Sequence, residues 1–104
     1  MIRHSVLTRC KAALTNHYGP RFGGLLLFGS AARGDATAGS DLDLLVLMAE
    51  PFDYFRELRE IIEVLYPIQL DCDQFISAKP ASRQDFEGGT VRLYRNARRE
   101  GVFV

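Results

Sequence analysis

The stretch that most restricts the fold is DLDLLVLM, residues 41–48. Beyond Asp43 every position is apolar, so in an extended strand Leu44 and Val46 fill one side while Leu45 and Leu47 fill the other. A strand without a polar face needs cover on both faces, which puts it in the centre of a sheet with helices packed against it. FGGLLLFG, residues 22–29, is a second apolar run of strand length, and its paired glycines mark close packing or a bulge.

The segments around these two runs read as helices and further strands. From Ile2 to about Tyr18, apolar residues at Ile2, Val6, Cys10, Ala13, Leu14 and His17 form one inward stripe, ended by Gly19-Pro20. Ser30 to Arg33 forms a turn of helix, followed by the loop GDATAGS. Pro51 opens a helix running to about Tyr66, with Phe55, Leu58, Ile61, Ile62 and Leu65 as its buried stripe and Pro67 closing it. IQLDCDQFI, residues 68–76, alternates as a third strand, with Gln69, Asp71 and Asp73 on its polar face. KPASRQDFEGG reads as a loop with one helical turn. A last helix spans about Thr90 to Glu100 and stops at Gly101, and VFV pairs as an edge strand. The expected fold is therefore α/β (α+β): one domain over residues 1–104, a mixed sheet backed by helices.

Two carboxylates at the start of a buried strand need a reason. Asp41 and Asp43 share a face, roughly 7 Å apart at the Cα. Like charges that close repel, and structure alone gains nothing from them. A divalent metal resolves the repulsion, and hard oxygen donors suit Mg²⁺, which takes one or two carboxylates together with substrate phosphates. Gly29-Ser30 ends the preceding strand, and free backbone N–H groups beside a hydroxyl there form a phosphate-binding corner. If the two strands are neighbours, corner and carboxylates face one cleft, an arrangement suited to phosphoryl transfer. A two-metal site calls for a third carboxylate on an adjacent strand. Strand parity allows either Asp71 or Asp73; Asp71 is preferred because it follows the apolar Leu70, with Asp73 in reserve.

Other classes of function find little support. Thirteen basic residues balance thirteen acidic ones, so no net field favours nucleic acid or an anionic membrane. No apolar stretch is long enough to span a bilayer. Arg3, Arg9 and Lys11 interrupt the N-terminal segment, which lacks a signal-peptide core, so the expected location is cytoplasmic. Cys10 and Cys72 have neither metal-type spacing nor a disulfide framework. His4 and His17 have no carboxylate or cysteine company. Arg92, Arg95 and Arg99 share one face of the last helix, with Leu93 and Ala97 opposite, which reads as the solvated side of an amphipathic helix rather than a partner or RNA patch.

Gly29-Ser30, ten residues, then Asp41-Leu42-Asp43 resembles the signature of the DNA polymerase β-like nucleotidyltransferase superfamily. The fuller string GSAARGDATAGSDLDLLV resembles its minimal nucleotidyltransferase branch, including Arg33-Gly34 and Ser40-Asp41, and TVRLYRNARREGVFV resembles the closing helix and strand of such domains. The resemblance implies the polymerase β-like fold and Mg²⁺-dependent transfer of a nucleoside monophosphate from an NTP to an acceptor hydroxyl, with two Mg²⁺ ions and ATP as the favoured donor. It implies nucleotide contacts from Gly29, Ser30, Arg33 and Ser40, and metal ligation and catalysis by Asp41, Asp43 and Asp71. With no room for an acceptor-binding domain, it implies a site completed by another protein or by a second copy in a homo-oligomer. By analogy the partner is a small helical HEPN-domain toxin, AMP going to one of its tyrosines in an antitoxin role. The alternative is a non-catalytic module that neutralises a toxin by contact or binds an NTP at a degenerate site.

Overall fold

A computed structural model describes residues 3–29, 32, 41–89 and 91–104. Helix α1 spans Arg3–Tyr18 and leads through a 3-10 turn, Gly19–Arg21, into strand β1, Phe22–Phe28. Strand β2 is Leu42–Met48, helix α2 is Tyr54–Leu70 and strand β3 is Ile76–Ser82. Two shorter helices follow, α3 at Arg83–Gly88 and α4 at Arg92–Glu100, and strand β4, Val102–Phe103, closes the chain.

The sheet has the order β3-β2-β1-β4. β1 runs antiparallel to β2 and to β4, whereas β2 and β3 are parallel, so the sheet is mixed. The parallel pair follows from the connection: α2 crosses over between β2 and β3, and such a crossover returns the chain in the same direction. Register slips once, between Phe22 and Gly24, at the glycine pair expected to mark a bulge.

As the all-apolar run required, β2 is central and covered on both faces. Leu42, Leu44, Val46 and Met48 pack with Val6, Cys10 and Leu14 of α1 and Ile61, Leu65 and Ile68 of α2. Leu45 and Leu47 pack on the other side with Leu26, Ala81, Phe86 of α3 and Ala97 of α4. In α1 the buried residues are Val6, Leu7, Cys10, Leu14 and Tyr18, four of them spaced every four residues; His17, expected inside, is exposed. Burial of the Cys10 side chain pushes its thiol up to about 11, with Cys72 nearby adding to the effect, as befits an unreactive core cysteine.

The expected helix after Pro51 is displaced at both ends. Asp53 caps it, its carboxylate accepting from the Arg56 N–H at 3.2 Å, so Pro51 lies outside. At the other end the helix passes through Pro67 to Leu70, because Ile61, Leu65 and Ile68 continue one buried stripe across the proline. Ile61 and Leu65 are buried as expected, joined by Glu57 and Ile68, whereas Phe55 and Ile62, also expected inside, are 73% and 56% exposed.

The third strand is the main correction. Residues 68–70 end α2 and Asp71 is its C-cap, so the alternation of IQLDCDQFI is not that of a strand. The strand lies at Ile76–Ser82, running from the last residue of the expected strand into the segment expected to be a loop, and Pro80 is tolerated there because β3 is an edge. Gln69 ties the turn together, donating to Gln74 O at 2.9 Å and accepting from the Ile76 N–H at 2.7 Å.

Candidate active site

Antiparallel pairing brings the end of β1 against the start of β2, and Phe28 is the register partner of Asp43. The next residue, Gly29, has φ +75, a conformation that side chains rarely adopt. A Cβ there would overlap the Asp43 carboxylate. Glycine is therefore demanded twice at this position, by backbone conformation and by the close approach of a carboxylate. Gly29 and the Asp43 carboxylate thus meet at one end of the β1–β2 pair.

Leu42 sets the direction of the two aspartates. Its side chain is fully buried beneath α1 and α2, and its N–H donates to Phe75 O at 2.9 Å, pinning the start of β2. Alternation then sends Asp41 and Asp43 to the opposite face, Asp41 exposed and Asp43 half-buried. That face is covered by α3 and α4 over Leu26, Leu45, Leu47 and Ala81, and the carboxylates stand at the uncovered end of β2.

Asp71 does not share this placement. As the C-cap of α2 it is exposed and accepts from Arg9 Nη1 at 3.1 Å, while Asp73 is exposed in the turn that follows. The parity argument that set either of them beside Asp43 falls with the strand it assumed. The residue that the β2–β3 register places next to Asp43 is Ser77, with Lys79 two residues further along the same face. Sequence reasoning missed both because Lys79-Pro80 reads as a loop. The signal that could have found them is the alternation of buried Ile76, Ala78 and Pro80 with Ser77 and Lys79. Ser30, Arg33 and Ser40 lie outside the described residues.

Among the described residues no three His, Cys, Asp or Glu side chains gather closely enough to hold a metal ion by themselves. Asp41 and Asp43 nevertheless fit Mg²⁺ that shares its coordination with substrate phosphates: they are two hard oxygen donors at the head of a rigid strand, beside a glycine corner. Neither histidine stands with them; His17 Nε2 lies 3.8 Å from Glu60 Oε1 on the helical layer.

Comparison with known proteins gives a consistent picture. The model of the family described as the nucleotidyltransferase domain matches residues 16–101. A relative from Methanocaldococcus jannaschii named "Putative protein adenylyltransferase" is 46% identical over 60 residues, 58% of this chain and 60% of that protein. The match therefore spans less than two thirds of the relative's length. A solved "putative minimal nucleotidyltransferase" superposes with a TM-score of 0.63 at 26% identity, covering 98% of this chain and 95% of its own. A crystal structure of a mutant of the MntA–HpeT toxin–antitoxin pair superposes with a TM-score of 0.62 at 17% identity, covering 100% of this chain and 72% of the other, a likeness of fold.

Proposed function

This chain belongs to the nucleotidyltransferase-domain family, and on that premise we propose that it moves AMP from ATP, with Mg²⁺, onto a hydroxyl group of a protein partner. The apposition of Gly29 and Asp43 carries the reading, since a glycine with positive φ set against a carboxylate at the head of β2 suits a phosphate corner beside a metal ligand. A protein acceptor is supported by the adenylyltransferase relative. A toxin partner, by family resemblance a small helical HEPN-domain protein with a tyrosine acceptor, is supported by likeness to the minimal branch and by the toxin–antitoxin neighbour.

In this reading the backbone at Gly29, with the Ser30 hydroxyl, holds the β- and γ-phosphates. Asp41 and Asp43 would hold Mg²⁺, a cation between them offsetting their mutual repulsion. Bound there, Mg²⁺ supplies charge neutralisation at the phosphates and lowers the pKa of an attacking hydroxyl. The stiffness of β2, packed on both faces, keeps the two carboxylates in register with the corner, and positioning of this kind is most of what phosphoryl transfer asks of a protein. Asp71, the C-cap of α2 and paired with Arg9, is not counted among the ion ligands in this reading.

The test is transfer from α-³²P-labelled ATP to a co-purified partner protein in the presence of Mg²⁺, the other NTPs run in parallel. Asp41→Asn and Asp43→Asn should each abolish labelling, and Asp71→Asn should keep at least about half of it. Labelling that survives in the first two variants overturns the site. A stable complex that never takes label, with toxin neutralised all the same, supports the contact-only alternative.

A further inference from the structure

Besides the two aspartates, one charged side chain lies on the sheet face that carries Asp43 among the described strand residues, Lys79. In the parallel β2–β3 ladder Asp43 stands beside Ser77, Leu45 beside Lys79 and Leu47 beside Ala81. Ladder partners project to the same side, and the side is identified by Leu45, Leu47 and Ala81, which share one buried cluster with Phe86 and Ala97. Cover by α3 and α4 reaches Ala81 and stops: Ala81 is buried, Lys79 is exposed and Ser77 is half-buried. Among the described strand residues on this face (Gly24, Leu26 and Phe28 of β1, then Asp43, Leu45, Leu47, Ser77, Lys79 and Ala81) only Lys79 is basic.

Reach and charge both connect Lys79 to the cleft. Diagonal neighbours across a ladder lie roughly 7–8 Å apart, a span that a long side chain covers, so the ammonium can enter the space above the Asp43 carboxylate. A triphosphate together with two carboxylates carries more negative charge than the ions between them cancel, and a cation at the open edge of the cleft offsets part of the remainder. The position flanks Asp43 on the side away from Gly29, because β1 and β3 lie on opposite sides of β2.

We propose that Lys79 is a phosphate-binding residue of the nucleotide site, its ammonium taking a non-bridging phosphate oxygen from the β3 side while the Gly29 corner holds the nucleotide from the β1 side. This rests on the reading of Asp41 and Asp43 as the Mg²⁺–nucleotide site. Ser77, where a carboxylate was expected, then lines the floor between the two charged groups.

Binding, measured without turnover, tests it. ATP with Mg²⁺ is titrated calorimetrically into the wild-type chain and into the Lys79→Met, Lys79→Arg and Asp43→Asn variants, at low and at high salt, with adenosine titrated alongside. Lys79→Met should weaken ATP binding roughly tenfold, the loss of one charge-assisted hydrogen bond at a solvent-facing site. Lys79→Arg should restore most of that loss, the difference should shrink at high salt, and adenosine binding should not change. Unaltered ATP binding in Lys79→Met, or an equal loss for adenosine, overturns the proposal. If Asp43→Asn weakens ATP binding and Lys79→Met does not, only the role of Lys79 fails. If Asp43→Asn itself changes nothing, the Asp41–Asp43 site fails and the Lys79 proposal with it.

Discussion

Gly29 is a single residue on which two demands converge, and it makes a sharp prediction. Gly29→Ala must hold φ near +75 with a side chain that disfavours it, at a cost of about 1–2 kcal/mol. Its Cβ must also displace the Asp43 carboxylate. The expected result is a melting temperature lower by roughly 4–15 °C together with an affinity for Mg²⁺–ATP reduced at least about tenfold. Thermal denaturation and a nucleotide titration separate the two effects. A variant that melts lower yet binds ATP normally would show that the corner matters only for folding. Asp43 needs no such double argument: it is half-buried beside the glycine at the head of a strand whose next residues are all core.

Among the elements, α2 carries an unusual burden, because its buried stripe begins with a carboxylate. Glu57 is 4% exposed, and its Oε2 accepts from Arg21 Nη2 at 3.3 Å, with Tyr18 close by. Burial by itself raises the carboxyl pKa, but the polar Glu60 and Tyr18 side chains beside it and the hydrogen bond and charge of Arg21 outweigh it, leaving Glu57 below its ordinary value. Burial also pushes the Tyr18 hydroxyl upward, and Glu57 reinforces the effect. A depressed carboxyl adds stability that is complete above the ordinary carboxylate value, about pH 4, and that disappears as pH falls through the lower folded value. Urea denaturation across that window should show wild-type stability falling with acid and Glu57→Gln falling less steeply. Arg21→Met, which leaves the buried carboxylate without its cation, should cost more than Glu57→Gln, about 2–3 kcal/mol at neutral pH, moderated because Arg21 is half exposed. Equal slopes in wild type and Glu57→Gln would remove Glu57 as the source of the acid sensitivity.

On the scale of the whole molecule, site and fold share β2. Its residues lie in both buried clusters, so an ion and nucleotide held at its first turn of chain are held by the rigid centre of the domain. Ligand binding to the native state alone stabilises by about 2.7 kcal/mol at a hundredfold excess over Kd. Mg²⁺–ATP at that excess should therefore raise the melting temperature by roughly 10–20 °C in a chain this small. The shift should vanish in the Asp41→Asn/Asp43→Asn double variant and persist in Asp71→Asn. A shift that persists in the double variant would place the nucleotide elsewhere. No helix among the described residues is long and apolar enough to cross a membrane.

Much of the frame was legible from local pattern alone. An apolar run with no polar face could only be a central strand, and it is. The glycine pair in β1 marked a bulge, Gly101 the end of the last helix, and the Gly-Ser to Asp-x-Asp spacing the nucleotidyltransferase family. These are properties of short segments, where backbone sterics and burial act within a few residues of the chain. What the sequence could not decide is which strand lies beside Asp43 and in what register. Residues 68–76 alternate as a strand would, yet Ile68 is needed by the α2 core, so the helix consumes it and the strand starts at Ile76. That choice is made by packing between elements far apart in the chain, and it is what replaces Asp71 with Ser77 and Lys79 beside the carboxylates.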